Sequence, residues 1–497
     1  MNPIKELTEY FSDITRLRYV ANLLDWDTQV YMPPGSSQGR SEQTALIEGI
    51  IHKKLVSEKA ARLIKNAEGV ANLDIVESAM LREAKRNYDR AVKVPIDLVK
   101  ELAKTATLGH KTWEKARAKS DFKTFQPVLE KIVSLKQKEA DLIDIGPTRY
   151  DTLLDQFEPD AKSDWILKVF NELKPHLKRI LGKIESSTEK PNQDVIKMHY
   201  DAQKQWKFSV EVLKKLNYDF NIGRQDKSAH PFTVSLSSID VRITTRIWEN
   251  FLPACLFGTI HEFGHAIYEM NFNPEIHDTL LADGSSLGIH ESQSRLWENI
   301  VARGRDFWKY WYPILQKYYP KNLKDYPEEE FYRSINTVQP SLIRVEADEV
   351  TYSLHIIMRY EIEKALMGDD VNISELPQIW NEKMETLLSI TPPDDAKGVL
   401  QDVHWSGGAI GYFPTYTLGN LYASQIYSKI LEAHPSLPEE FARGEFSTLV
   451  SYLGENIHKF GKIYTPLDLL KKITGEDLNS NYFIEYLENK FYPIYKV

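Results

Sequence analysis

The sequence predicts a mainly α-helical protein with one short β segment. Glycine (23 residues in 497) is below its usual share, proline (24) is near it, and apolar residues recur at helical spacing along most of the chain. Residues 232–245 are the exception, because β-branched residues alternate there and predict two short strands around a turn. We therefore expect a large helical domain over residues 1–497 with a small sheet.

The first half of the chain is predicted to form successive helices. The first helix covers residues 1 to about 31 and ends at Pro33, Pro34 and Gly35, which break helices. From Arg40 to about Leu181 the helices are separated by short breaks near residues 66–72, 94–95, 120–121 and 146–148. Residues 186–194, SSTEKPNQD, form the most polar break, and a further helix is predicted as far as Leu216.

The second half combines long helices with two unusual stretches. Residues 251–270, FLPACLFGTIHEFGHAIYEM, predict a buried helix, and another helix is expected from near Gly288. A longer helix is predicted from Pro340 to Gly368, followed by a loop at residues 391–397. Residues 398–422 then hold more glycine, histidine and aromatic residues than a connector needs, and helices are predicted from there to Val497.

Charge and composition exclude several classes of function. The net charge of −9 and the pI of about 5.9 argue against a nucleic-acid partner. The chain holds no apolar run of about 18 residues, so no membrane span is expected, and the first ten residues do not resemble a secretory signal. Cys255 is the single cysteine, which excludes an intrachain disulfide and a cysteine-ligated zinc site. We expect a cytoplasmic protein.

The predicted buried helix carries three polar residues that need a partner. His261 and His265 are four residues apart, so their side chains lie on one helix face and can converge on one metal ion. Glu262 lies beside them, where it can accept a proton from a metal-bound water that attacks a carbonyl group. The alternative is two core histidines that bond to the backbone.

A catalytic zinc needs a third protein ligand. Glu291, near the start of the next helix, is the favoured candidate because it could approach the metal from the side. Glu269, further along the same helix, is predicted to be a surface group or a group behind the ligands. Spacing leaves three alternatives open, namely His277, His290 and Glu298.

Further groups would have to bind the substrate. Donors for a tetrahedral oxyanion are sought in the glycine-containing stretch, where the alternative is ordinary aromatic packing; they are His404, Tyr412 and Tyr416. A free C-terminal carboxylate is best held by an arginine. Arg344 is one candidate, with Asp348 four residues later to hold it, although this spacing usually means a surface ion pair. Arg242 in the strand segment is the rival anchor.

Six segments together resemble one enzyme family. In chain order they are HPF (residues 230–232), DVRIT (240–244), HEFGH (261–265), HES (290–292), IRVEAD (343–348) and GVLQDVHW (398–405). They resemble the thermostable-carboxypeptidase family of zinc metallopeptidases, the Taq carboxypeptidase type. The resemblance implies a helical fold similar to neurolysin and angiotensin-converting enzyme, with a deep groove that two helical lobes could flank and a small sheet beside the metal.

The resemblance also implies an activity. It is the release of single C-terminal residues from peptides with broad specificity, by a cytoplasmic homodimer that holds one zinc, or sometimes cobalt, per chain. Glu291 would be the third ligand and Glu262 the general base. His404 and Tyr412 would stabilise the transition state, and Arg344 would anchor the substrate carboxylate. The alternatives are a metallo-oligopeptidase that makes internal or dipeptidyl cuts, and a peptide-binding protein without activity.

Overall fold

The structure is a computed structural model that describes residues 2–497. It is mainly helical and divides into two compact units. Unit 1 comprises Met1–Ala91, Pro191–Asn336 and Tyr422–Leu478, and unit 2 comprises Val92–Lys190, Thr337–Leu421 and Asn479–Val497. None of the helices within residues 2–497 is long and apolar enough to cross a membrane.

The helices, in chain order, are α1 (Pro3–Val30), α2 (Ser37–Leu55), α3 (Glu58–Glu68), α4 (Ile75–Lys93), α5 (Ile96–Lys119), α6 (Phe122–Ile143), α7 (Arg149–Leu154), α8 (Ser163–Ser186), α9 (Ala202–Lys215), α10 (Leu252–Met270), α11 (Leu287–Arg295), α12 (Arg305–Tyr318), α13 (Pro320–Leu323), α14 (Glu328–Ile335), α15 (Tyr352–Met367), α16 (Leu376–Leu388), α17 (Pro414–Ala433), α18 (Leu437–Ala442), α19 (Ser447–Asn456), α20 (Pro466–Thr474) and α21 (Asn481–Tyr495). The strands are β1 (Gly223–Lys227), β2 (Thr233–Ser237) and β3 (Asp240–Thr245). The sheet and helices α9–α14 lie in unit 1, whereas α5–α8, α15 and α16 lie in unit 2.

The predicted helix breaks are confirmed, and local chemistry explains them. Pro95 caps α5, since proline fits the start of a helix but lacks the N–H group needed inside one. Ser120 ends α5 with a φ of 54°, in the left-handed region that stops a helix. The polar segment after α8 also falls where predicted, because α8 ends at Ser186. A break at Val56 and Ser57, where Ser57 caps α3, was not predicted.

The sheet has one strand more than the sequence predicted. Strands β2 and β3 form the expected antiparallel hairpin, and β1 pairs with β3 in parallel, so the strand order is β1-β3-β2. The sequence of β1, GRQDK, lacks the β-branched residues that mark a strand. It holds its place through contacts elsewhere in unit 1: Gln225 donates to Ser209 on α9, 3.1 Å away.

The predicted helix from Pro340 to Gly368 is wrong in its first third. Helix α15 begins only at Tyr352, and the chain before it is irregular apart from a short 3-10 turn at Arg344–Glu346. The Asp348 carboxylate accepts hydrogen bonds from the N–H groups of Val350 (2.9 Å) and Thr351 (3.0 Å). Asp348 therefore holds the turn that leads into α15, and it does not pair with Arg344 as the spacing suggested.

Candidate active site

Two neighbouring helices of unit 1 bring together three side chains of the types that bind metal ions. His261 and His265 lie on α10 and Glu291 lies on α11, and each offers a ligand atom within 4.8 Å of the other two. Glu291 Oε2 lies 3.8 Å from His261 Nε2 and 3.5 Å from His265 Nε2. We call these three residues the ligand cluster. Two imidazole nitrogens and one carboxylate oxygen are a donor set typical of catalytic zinc.

Helix α11 can reach this position because α10 carries a glycine where they meet. A Cβ atom on Gly264 would lie 2.5 Å from Ser294 Cα and 2.6 Å from the Gln293 carbonyl oxygen, so a larger residue would push α11 away. Ser286 starts α11 by accepting a hydrogen bond from the Ile289 N–H group, 2.9 Å away. The glycine inside HEFGH therefore sets the distance between Glu291 and the histidines.

Charged groups from the next turns hold His261 and Glu291. Glu298 Oε2 lies 2.9 Å from His261 Nδ1, which leaves Nε2 to face the ligand cluster. Arg295 Nε donates to Glu291 Oε1 at 2.7 Å, so Oε2 is the oxygen that faces the histidines. Glu298 lies in a π-helical segment, Leu296–Ala302, that follows α11 directly. Such segments are frequent at functional sites because they re-aim side chains.

The other histidine of the ligand cluster, His265, is contacted by a histidine instead of a carboxylate. His265 Nδ1 lies 2.5 Å from Nδ1 of His290, and His290 Nε2 lies 2.8 Å from Glu269 Oε1. His290 therefore contacts the candidate ligand His265, and Glu269 contacts His290 from its other side. His277 lies elsewhere, with Nε2 3.0 Å from the Phe272 carbonyl oxygen.

The electrostatics of the ligand cluster suit a cation. Burial alone would raise the pKa of Glu291, but Arg295 and His261 outweigh it and the pKa falls well below its usual value. Burial lowers the pKa of His265 to about 3, so this imidazole is neutral at pH 7. Burial would also lower the pKa of His261, yet the carboxylates of Glu291 and Glu298 raise it. His261 therefore attracts a positive charge, which a metal ion would supply in place of a proton.

Glu262 is buried beside the ligand cluster without belonging to it. Thr233 Oγ1 on strand β2 lies 2.7 Å from Glu262 Oε2 and 2.9 Å from the Glu262 carbonyl oxygen. Burial raises the pKa of Glu262 above its ordinary value. A carboxylate with a raised pKa accepts and returns a proton more readily near neutral pH, as a general base must. The small sheet thus lies next to the candidate metal site, as predicted.

Unit 2 contains a second buried ionic group, which we call the arginine cluster: Arg344, Arg359, Gln401 and Asp402. Arg344 donates to Asp402 Oδ1 from Nε (3.0 Å) and Nη2 (2.7 Å), and Arg359 donates to Oδ2 from Nε (2.7 Å). Gln401 Oε1 accepts from Arg359 Nη2 at 2.8 Å. Two guanidinium groups therefore share one carboxylate, and the pKa of Asp402 falls well below its usual value because they outweigh the effect of burial.

The three predicted oxyanion donors lie together beside Arg344. The ring of His404 is 5.4 Å from that of Tyr412 and 6.3 Å from that of Tyr416, and the Arg344 guanidinium lies 5.0 Å from the Tyr416 ring. Burial lowers the pKa of His404 to about 4, so the imidazole is neutral at pH 7. His404 Nδ1 is buried 3.9 Å from Asp402 Oδ1, too far for a hydrogen bond, and Nε2 lies 3.4 Å from Tyr416 Oη. A neutral imidazole carries one N–H group, so with its proton on Nε2 His404 could donate to a substrate oxygen.

Arg242, the rival anchor, is already paired. It donates to both oxygens of Asp240, at 2.8 Å each, and its guanidinium lies 4.4 Å from the ring of Trp26 on α1. One carboxylate balances one guanidinium here, so the pair is neutral. Arg242 belongs to unit 1 and Arg344 to unit 2.

Sequence reasoning missed several residues of these clusters. Asp402 and Arg359 were not singled out, although Asp402 lies in the GVLQDVHW segment and precedes His404 by two residues. Glu298 was considered only as a ligand, and no pattern pointed to Thr233. A search for acidic residues next to candidate histidines would have found Asp402, whereas the contact of Thr233 depends on how β2 packs against α10.

The whole chain matches known proteins. The family model of carboxypeptidase Taq (M32) metallopeptidases matches residues 6–491. Carboxypeptidase 1 of Bacillus subtilis (strain 168) is 39% identical over 492 residues, which cover 99% of this chain and 98% of that protein. Thermostable carboxypeptidase 1 of Thermus thermophilus is 37% identical over 503 residues, with 99% and 98% covered. The M32 carboxypeptidase of Deinococcus radiodurans R1 has a crystal structure that matches with a TM-score of 0.97 and 33% identity over 100% of both chains.

Proposed function

The chain belongs to the carboxypeptidase Taq (M32) family of metallopeptidases and is a metal-dependent carboxypeptidase, and we propose that His261, His265 and Glu291 hold its metal ion. The observation that carries this assignment is the convergence of their three ligand atoms within 4.8 Å of one another. The family match favours release of C-terminal residues over the internal or dipeptidyl cuts of a metallo-oligopeptidase. We further propose zinc as the metal, since the N, N, O donor set suits it, with cobalt as a substitute.

Glu262 is the proposed general base. A divalent metal bound at the ligand cluster would act as a Lewis acid, which lowers the pKa of water and polarises the scissile carbonyl group. Thr233 contacts Glu262 Oε2, which leaves Oε1 to take the proton from the attacking water. The same oxygen can then pass the proton to the departing amine, because a base that accepts a proton in the first step becomes the acid of the next.

The proposed transition-state donors are His404 and Tyr412, with Tyr416 as a substrate contact. The neutral state of His404 supports this role, because a neutral imidazole can donate one hydrogen bond without repelling Arg344. The ring of Tyr412 lies 5.4 Å from that of His404 and 5.2 Å from that of Tyr416, and this proximity also supports a shared role of the three residues in substrate binding.

Arg344 is the proposed anchor for the substrate carboxylate. The arginine cluster carries two guanidinium groups for one carboxylate, and a buried surplus charge is costly unless an anion balances it. Arg242 is the weaker candidate because Asp240 already balances its charge.

The decisive experiment follows the products of one defined peptide. A free-acid peptide and its C-terminally amidated twin are incubated with enzyme that has been stripped of metal and then restored with Zn²⁺ or Co²⁺, and products are identified by mass spectrometry. We expect stepwise loss of single residues from the free acid alone, and only after metal returns. Internal cuts in both peptides would show that the proposed mode of cleavage is wrong.

The location and the assembly remain proposals that rest on the family resemblance. We propose a cytoplasmic homodimer with broad specificity for peptides. Light scattering of the purified protein would give about twice the chain mass of 57.5 kDa for a dimer. A mass equal to that of one chain would reject the dimer, and cell fractionation would test the location.

A further inference from the structure

Strand β2 presents two hydroxyl groups to the helix that carries the candidate metal site. Thr233 and Ser235 are two residues apart, so their side chains lie on the same face of the strand. On α10, Glu262 and Glu269 are seven residues apart, which is two helical turns, so their carboxylates also share a face. Thr233 Oγ1 lies 2.7 Å from Glu262 Oε2, and Ser235 Oγ bonds to Glu269 Oε2.

The contact between Thr233 and Glu262 orients the carboxylate of the proposed general base. The Thr233 hydroxyl has one proton, which it can donate to Glu262 Oε2 at 2.7 Å or share with the Glu262 carbonyl oxygen at 2.9 Å. Glu262 is buried, so an unsupported carboxylate there would be costly and free to turn. The contact leaves its other oxygen to face the substrate water.

The contact between Ser235 and Glu269 ends a series of hydrogen bonds that starts at the proposed metal ligand His265. With a metal ion on Nε2, as proposed, His265 would carry its ring proton on Nδ1 and donate it to His290 Nδ1, 2.5 Å away. His290 must then carry its own proton on Nε2, which it donates to Glu269 Oε1 at 2.8 Å. Ser235 bonds to the other oxygen of Glu269. Each link fixes the orientation of the next, so Ser235 acts on His265 through two side chains.

We propose that Thr233 and Ser235 are positioning residues with separate tasks: Thr233 orients the general base, and Ser235 orients the metal ligand His265 through Glu269 and His290. This inference rests on the proposed function of Glu262 and of the ligand cluster. Strand β2 thereby aligns two groups of α10, the proposed general base Glu262 and the proposed metal ligand His265.

The test separates the two tasks with two readouts. The variants Thr233→Val and Ser235→Ala remove one hydroxyl each and preserve most of the shape. The dissociation constant for Zn²⁺ is measured by competition with a chelator, without substrate, and kcat and KM are measured at saturating Zn²⁺. We expect Thr233→Val to lower kcat by about 10- to 100-fold, as loss of a hydrogen bond to a charged group does, with an unchanged Zn²⁺ dissociation constant.

Ser235→Ala should show the opposite pattern. We expect its Zn²⁺ dissociation constant to rise by about 10-fold, the lower end of what loss of a supporting group costs, while kcat at saturating Zn²⁺ stays near that of the wild type. Glu269→Gln and His290→Asn should raise the Zn²⁺ dissociation constant at least as much, because Glu269 and His290 lie between Ser235 and His265 in the series of hydrogen bonds.

Ser237→Ala is the matched control. Ser237 lies on the same strand, and its hydroxyl accepts from the Ile239 N–H group, 3.2 Å away, within the hairpin. Its removal should change neither readout, and circular dichroism should show the wild-type helix content for all three hydroxyl variants.

Three results would overturn the proposal. A Thr233→Val enzyme with wild-type kcat would remove the first task, and a Ser235→Ala enzyme with wild-type Zn²⁺ affinity would remove the second. If both variants change both readouts, β2 acts only as a structural support. Failure of the proposed function is distinguishable, because it would appear in the wild type as activity without metal, or in Glu262→Gln as retained activity.

Discussion

The ligand cluster of unit 1 and the arginine cluster of unit 2 are both ionic and at least half-buried, but the charges gathered at them have opposite signs. Around the histidines, unit 1 places four carboxylates and two guanidinium groups, those of Glu262, Glu269, Glu291, Glu298, Arg295 and Arg303. In unit 2, two guanidinium groups share the carboxylate of Asp402. Each cluster is therefore incomplete by itself, one lacking positive charge and the other negative.

This difference explains what each cluster can bind. A buried charge is stable only when another charge or a bound ion balances it, so the surplus indicates the ligand. The surplus in unit 1 suits a divalent cation, and the surplus in unit 2 suits an anion such as a peptide carboxylate. Arg242 with Asp240 is the useful contrast, because a pair that is already neutral offers no such preference.

The largest effect is expected at the ligand cluster, from Glu262→Gln. The amide has the shape of the carboxylate but cannot accept the proton, so kcat should fall by about 10²- to 10⁴-fold. Zn²⁺ should still bind with one ion per chain, because Glu262 is not among the three ligands. Elemental analysis and kinetics on the same preparation check both points, and retention of more than a tenth of the activity would contradict the role of Glu262.

The next effect tests whether Asp402 holds the arginine cluster together. Asp402→Asn would leave Arg344 and Arg359 buried without a counter-charge, so the free energy of unfolding should fall by about 3–5 kcal/mol. Urea denaturation measures this loss. Asp348→Asn is the control, because that half-buried carboxylate holds the start of α15 and pairs with no arginine. An equal loss in both variants would mean that the charge balance is not what matters.

The anchor assignment predicts an intermediate effect on substrate binding. Arg344→Ala removes a charge-assisted contact worth about 1.5–3 kcal/mol, so kcat/KM for free-acid peptides should fall by about 10- to 150-fold, mainly through KM. Arg242→Ala should change KM little, since Asp240 already holds that side chain. Steady-state kinetics decide the comparison, and the reverse result would make Arg242 the anchor.

The last effect is on stability and concerns a buried carboxyl group of unit 2 whose hydrogen-bond partners are uncharged. Glu363 accepts from Trp405 Nε1 (2.9 Å), Tyr150 Oη (3.0 Å) and the Gly411 N–H group (3.0 Å), and burial raises its pKa to about 7. The unfolded chain has a lower pKa for this group, about 4.3. Between these values the folded state binds more protons, so this contribution to stability is complete below about pH 4 and is lost as the pH rises to about 7.

The measurement is the free energy of unfolding between pH 5 and pH 7.5. Glu363→Gln should flatten the decline that Glu363 causes in the wild type. Asp402 has the opposite sign, because its lowered pKa gives stability that is lost only as the pH falls below about 4. A variant whose pH dependence equals that of the wild type would show that Glu363 does not titrate in this window.

The spacing of residues along the sequence determined most of the secondary structure and the placement of the two histidines on one helix face. The four-residue spacing of His261 and His265, the helix breaks at proline and at polar segments, and the alternation in β2 and β3 are all set within a few residues of the chain. These features follow from backbone geometry, which repeats every 3.6 residues in a helix and every two in a strand. They were sufficient to predict a mainly helical fold, a metal site and the β2–β3 hairpin.

Tertiary packing decided the rest. Spacing offered Asp348 as the partner of Arg344, but the structure gives that role to Asp402, which lies 58 residues away. Strand β1 pairs with β3 although its own sequence does not favour a strand, and Thr233 reaches Glu262 from 29 residues away. Such contacts depend on which surfaces meet when helices and strands pack, and no short-range pattern in the sequence contains that information.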